Sequence, residues 1–122
     1  NIEGVVDSAG TANYHIGSKP DYRTLQVLNE HKISTGHRAR QVQKSDFEHF
    51  DMIIAMDTNN FNDLIEVFGV DMQKPKNLFL AGDFYSEKGA NVPDPYYGTI
   101  NDFRKVYEML DEICDNLISK TQ

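Results

Sequence analysis

Cysteine occurs once in the 122 residues, at Cys114. A single thiol excludes an internal disulfide framework and any zinc site built on several cysteines. It makes a reducing, cytoplasmic location the expectation. Long apolar runs are also lacking: none approaches the ~20 residues of a spanning helix, so no membrane partner is expected. Basic residues are in the minority, 12 against 19 acidic, for a formal charge of −7. No nucleic-acid partner is expected, because such proteins carry a basic face. An anionic substrate remains compatible, since a site can be locally positive on an acidic protein. The opening Asn1-Ile2-Glu3-Gly4 shows neither a secretory pattern nor an initiator Met, and there is no internal repeat or low-complexity stretch. What is present, 39% hydrophobic and 25% charged residues, describes one domain able to bury a core.

Apolar patterning predicts strands alternating with helices. Val5-Val6, closed by Asp7-Ser8-Ala9-Gly10, reads as a buried strand running into a loop. Asp21 is a helix N-cap, with Tyr22, Leu25 and Leu28 as the apolar stripe behind it. Ser45-Asp46-Phe47-Glu48 fits a capping box. Met52-Ile53-Ile54-Ala55-Met56 is continuously apolar, which predicts a strand covered on both faces, as in a parallel sheet. Phe61, Leu64, Ile65 and Phe68 define an amphipathic helix that Gly69 is placed to end. Leu78-Phe79-Leu80 is a third short strand, and residues 82–98 form a long loop. A last helix carries Phe103, Val106, Tyr107, Leu110, Ile113, Cys114 and Leu117 on one face. The fold class is therefore α/β, three layers with a short parallel sheet flanked by helices. Three short strands are few for this class, as though an opening strand were missing.

Four features can carry chemistry. In Val92-Pro93-Asp94-Pro95-Tyr96-Tyr97-Gly98, two prolines restrict the backbone around one carboxylate and two aromatic rings follow. That arrangement suits a general acid aimed at an aromatic leaving group; a rigid surface turn would use the same residues. Ser8 lies at the end of a predicted strand, where open α/β sheets bind ligands, and equally fits a strand-terminating turn. In Gly36-His37-Arg38-Ala39-Arg40, a His with two Arg nearby can hold a phosphate or orient a loop, or simply be a solvated basic stretch. Asp57 ends the second strand and can cap the helix that follows. Cys114, with Lys120 six positions on, imitates a phosphatase loop but falls inside a periodic helix whose backbone N–H groups are all used. It is expected to be a small core residue.

Several segments, in order, carry a resemblance: Val6-Asp7-Ser8-Ala9-Gly10-Thr11, Tyr14-His15-Ile16-Gly17, Pro20-Asp21-Tyr22-Arg23, Gly36-His37-Arg38-Ala39-Arg40-Gln41, Asp46-Phe47, Phe50-Asp51, Ala55-Met56-Asp57 with Asn60, and Val92-Pro93-Asp94-Pro95-Tyr96-Tyr97-Gly98 with Phe103, Val106 and Tyr107. Together they resemble the low-molecular-weight protein tyrosine phosphatases over nearly the whole of residues 1–122. The resemblance implies a cytoplasmic hydrolase of phosphotyrosine proteins or small aryl phosphates, working without metal or other cofactor through a cysteinyl-phosphate intermediate. It implies Asp94 as general acid and base, Tyr14, Tyr96 and Tyr97 as the walls around the substrate ring, and Ser8 and His37 as groups that steady the phosphate loop. Asp57 and Asn60 match positions near the site with a mainly structural role.

One departure matters. Such enzymes open with a strand leading into a loop of cysteine, five residues and arginine, and none of Arg23, Arg38, Arg40 and Arg104 lies six positions after a cysteine. The expectation is a single domain, residues 1–122, incomplete at its N-terminus and lacking the first, central strand. Alone it should be inactive and fold poorly, unless an N-terminal segment or a strand exchanged from another copy complements it. The alternative is a non-catalytic phosphatase-like binding or regulatory module. Among enzymes of this fold, arsenate reductases need several cysteines. Arginine phosphatases lack a reason to prefer the Tyr96-Tyr97 pair, which suits an aromatic substrate.

Overall fold

The computed structural model describes residues 5–11, 16–69 and 73–121. Asp21 opens helix α1, Tyr22–Glu30, by accepting the Arg23 N–H at 2.8 Å. Lys32, at φ 60°, makes the left-handed turn that ends it, with the Ile33 N–H reaching back to the Leu28 carbonyl. Helix α2 covers Lys44–His49 and strand β1 Ile53–Ala55. Helix α3, Thr58–Phe68, begins where Asp57 accepts the Asn60 N–H at 2.7 Å and ends at Gly69. Strand β2 is Leu78–Leu80, followed directly by a 3-10 turn over Ala81–Phe84, and helix α4 runs over Ile100–Thr121. No helix among the described residues is long and apolar enough to cross a membrane.

β1 and β2 pair in parallel, Ile53 opposite Leu78 and Ala55 opposite Leu80. Alternation sends their side chains to two cores. Ile53, Ala55 and Leu78 join Leu64, Ile65 and Phe68 of α3 and Phe47 of α2. Ile54 and Phe79 join Ala81, Phe84, Val92 and, from α4, Ile113 and Leu110. Both faces of the sheet are thus covered, which is why β1 reads as an unbroken apolar run. α1 packs on α4 through the stacked rings of His31 and Tyr107, 4.0 Å apart, and the bidentate Arg104–Glu30 pair. The result is the α/β architecture expected, a short parallel sheet between helical layers.

Five expectations need correction. Val5 and Val6 are not a buried strand: they are 75% and 91% exposed. A strand needs a hydrogen-bonded neighbour, and among the described residues the segment meets one only at the single parallel bridge between Gly10 and Gln41. The sheet accordingly has two strands rather than three among the described residues. On α1 the inward residue is Val27, while Tyr22 is 75% exposed; the stripe is rotated because Arg23 and Val27 face α4 and the loop before it. Residues 82–98 are not wholly a loop, since Gly82 and Phe84 belong to the 3-10 turn buried under α4. The box before α2 is centred on Gln43, whose N–H donates to Asp46 Oδ2 at 2.8 Å, two residues earlier than the Ser45 expected.

Candidate active site

The Asp94 loop is fastened at both ends. On its entry side Val92 is buried in the core, and its N–H donates to the Met56 carbonyl at the end of β1. Beside it, Asn91 Oδ1 accepts the Thr58 N–H at the start of α3. Within the loop Asp94 Oδ1 accepts the Tyr96 N–H at 3.0 Å, and the Gly98 N–H closes a turn onto the Pro95 carbonyl. The two prolines and this turn leave the carboxylate little freedom. On the exit side Asp102 of α4 accepts the Thr99 N–H at 2.8 Å, capping the helix. Gly98 leaves room for this cap, because a Cβ there would force the Asp102 carboxylate to shift. Asp94 is exposed, as are Tyr96 at 58% and Tyr97 at 97%, their rings edge to face at 5.0 Å. Asp94, Pro95 and Tyr96 line a cavity of about 300 Å³ whose other walls are Val27 and Leu28 of α1 and Phe103, Val106 and Leu110 of α4.

Ser8 and His37 are in contact: Ser8 Oγ lies 2.9 Å from His37 Nε2. The strip from Gly36 to Val42 holds the flanking segments in place. The Gly10 N–H donates to the Arg40 carbonyl and the Val42 N–H to the Gly10 carbonyl, while Gly17 and Ser18 bond Ala39. Ser8, Gly10, Lys19, His37, Arg40 and Asn60 line an open groove of about 430 Å³. Asn60 reaches it from the first turn of α3, positioned by the Asp57 cap. Asp57 therefore does structural work, and its neighbour Met56 ties the same end of β1 to the Asp94 loop. Ser8, His37 and Asn60 are gathered around one groove, Asp94 and Tyr96 around another cavity, and Met56–Asn60 joins the two. Tyr14 lies outside the described residues.

Sequence reasoning missed the charged fasteners. Arg40 does not present a free guanidinium to an anion: it grips both Asp46 oxygens at 3.0 and 3.1 Å and Asp7 Oδ2 at 3.0 Å. Those bonds hold the Asp46 carboxyl below its ordinary range, with help from the Gln43 N–H. Asp7 is held down first by the Ser8 N–H and then by Arg40. Alternating opposite charges at positions 7, 40 and 46 were the only available signal. A depressed folded-state value stabilises the fold above the ordinary carboxylate value near 3.8, and this contribution disappears as pH falls through the lower folded one. Arg40→Met is thus expected to lower the melting temperature at pH 6, with the gap to wild type closing below about pH 4. Thermal melts across that range check it, and a gap independent of pH would contradict the pairing.

Cys114 also departs from expectation. It is exposed on the flank of α4 rather than in the core, because the stripe it borders turns inward at Ile113, 3% exposed. Partial burial of its thiol, aided by Asp111 and Asp115, pushes its pKa up, the opposite of what a nucleophile needs. Among the described residues no three His, Cys, Asp or Glu side chains converge as a metal site would require.

A protein-family model described as low molecular weight phosphotyrosine protein phosphatase matches residues 1–122. The Gallus gallus protein of that name is 38% identical over 115 residues, 94% of this chain and 73% of the relative. A crystal structure of a protein tyrosine phosphatase from Entamoeba histolytica superposes with a TM-score of 0.86 at 37% identity, covering 96% of this chain and 74% of that one. A Drosophila arginine phosphatase superposes with a TM-score of 0.88 at 29% identity, covering 97% and 77%. With the match running the length of the chain and through both halves of the site, this protein belongs to the low molecular weight phosphotyrosine protein phosphatase family.

Proposed function

We propose that these residues form the acid-base half of a phosphotyrosine phosphatase site. The observation that carries the reading is Asp94: an exposed carboxylate on a loop tied at both ends, with two exposed phenol rings beside it. A thiolate displaces the tyrosine from phosphorus, so that an S–P bond forms and the P–O bond to the phenol breaks. Asp94 gives its proton to the departing phenolic oxygen. Water then attacks the phosphocysteine; Asp94, now a carboxylate, takes the water proton, and phosphate leaves as the S–P bond breaks. Tyr96 and Tyr97 offer apolar faces to the substrate ring. That pairing favours an aromatic ester over the substrate of the Drosophila arginine phosphatase.

The thiolate of this scheme is not Cys114, whose thiol is held neutral within α4. The nucleophile and the phosphate cradle belong to a cysteine, five residues and arginine that these 122 residues do not contain. Ser8 and His37 line the groove that would receive them, beside the uncovered Val5 and Val6. The test is hydrolysis of p-nitrophenyl phosphate and a phosphotyrosine peptide. The natural full-length polypeptide should turn both over, and residues 1–122 alone should turn over neither. A full-length protein that binds phosphotyrosine without hydrolysing it would replace this reading with a binding module.

A further inference from the structure

The Arg23 side chain is mostly enclosed and makes four hydrogen bonds. Nε and Nη2 grip the two Asp21 carboxylate oxygens at 3.1 and 3.0 Å. The other edge of the fork faces the Asp94 loop, where Nη2 donates to the Tyr96 carbonyl at 2.8 Å and Nη1 to the Gly98 carbonyl at 3.0 Å. The guanidinium lies over the Phe103 ring, 4.4 Å from its centre. The Tyr96 backbone is therefore held at both its polar atoms: its carbonyl by Arg23 and its N–H by the Asp94 carboxylate. A continuous path runs from the Asp21 cap of α1 through a planar cation to the acid. Asn91 and Val92 fix only the entry side of the loop, so without Arg23 the exit side has only the turn onto Pro95 and the start of α4.

We propose that Arg23, aimed by Asp21, is the positioning residue that sets the Asp94 carboxyl against the leaving-group oxygen. The proposal rests on the general-acid reading above. Its chemistry requires arginine, because two carbonyls and a carboxylate are satisfied at once by a rigid fork. A lysine ammonium keeps the charge but cannot span all three acceptors. A role limited to packing α1 on α4 would affect every substrate alike. A misplaced acid instead penalises substrates in proportion to how much their leaving group needs a proton, and small misplacements near reacting atoms cost up to about a hundredfold.

The experiment uses the natural full-length polypeptide and two substrates, phenyl phosphate and 2,4-dinitrophenyl phosphate, whose leaving group needs little protonation. Arg23→Lys is expected to lower kcat/KM for phenyl phosphate roughly ten- to a hundredfold and to change the dinitrophenyl ester by less than about threefold. Asp21→Asn keeps a good N-cap while releasing the fork, and should shift the same ratio in the same direction. Equal losses on both esters would reduce Arg23 to a packing role and overturn the proposal. Should Asp94→Asn alter the ratio while Arg23→Lys does not, this proposal fails and the general-acid reading stands. No change of ratio in Asp94→Asn itself removes both. Amide exchange over residues 94–98 supplies a readout free of catalysis. It should speed up in Arg23→Lys at unchanged melting temperature, and unaltered exchange there would also overturn the proposal.

Discussion

Replacing Asp94 with Asn is expected to lower kcat/KM for phenyl phosphate by about 10²- to 10⁴-fold in the natural full-length polypeptide, the usual worth of a positioned proton donor. The substitution is unusually clean. Asp94 is exposed, and its recorded hydrogen bond is the one it accepts from the Tyr96 N–H, which an asparagine oxygen accepts equally well. The loop keeps its buried Val92 anchor and its Gly98 turn, so the melting temperature should move little. Only the transferable proton is lost. The loss should shrink for 2,4-dinitrophenyl phosphate, whose phenolate departs without help. Steady-state rates on the two esters check this, and unchanged turnover of phenyl phosphate would remove Asp94 from the chemistry and leave it a turn residue.

The parts of this fold that could be read beforehand are those decided by local rules. Ile53-Ile54-Ala55 is continuously apolar because α3 covers one face and α4 with the 3-10 turn covers the other. α3 announced itself through Phe61, Leu64, Ile65 and Phe68, with Asp57 and Gly69 as its caps. Val5 and Val6 failed because strand formation depends on a partner that no local pattern names, and the neighbouring chain meets that segment only at Gly10. Arg23 failed for a similar reason. Its acceptors Tyr96 and Gly98 lie 73 and 75 residues away, and no helical periodicity suggests that a charged residue faces inward. Tyr22 was preferred to it on hydrophobicity alone. Within the site, Asp94 and the Tyr pair stood out because prolines punctuate the sequence visibly. The Ser8–His37 contact was not legible, since 29 residues separate the partners; the family resemblance named both residues but not their bond.

Leu78→Ala should be the most damaging single change to stability, about 2–5 kcal/mol. Leu78 is fully enclosed, at 0% exposure, and it faces Leu64 and Ala55 in the core between the sheet and α3. Its truncation removes buried methyl groups and leaves a cavity that the paired strands cannot close, because Leu78 is held in register opposite Ile53. Domains of about this size have roughly 5–15 kcal/mol in all, so in the natural full-length polypeptide the loss is a large fraction of the total. The damage should reach the site. β1 is paired to β2, and its end at Met56 holds the Val92 N–H and hence the entry to the Asp94 loop. Urea denaturation should show a lower midpoint with an unchanged slope. Val67→Ala, at a position 69% exposed on α3, should stay within about 0.5 kcal/mol. If the two substitutions cost the same, the sheet–α3 core does not hold the molecule together, and the end of β1 is not what steadies the acid.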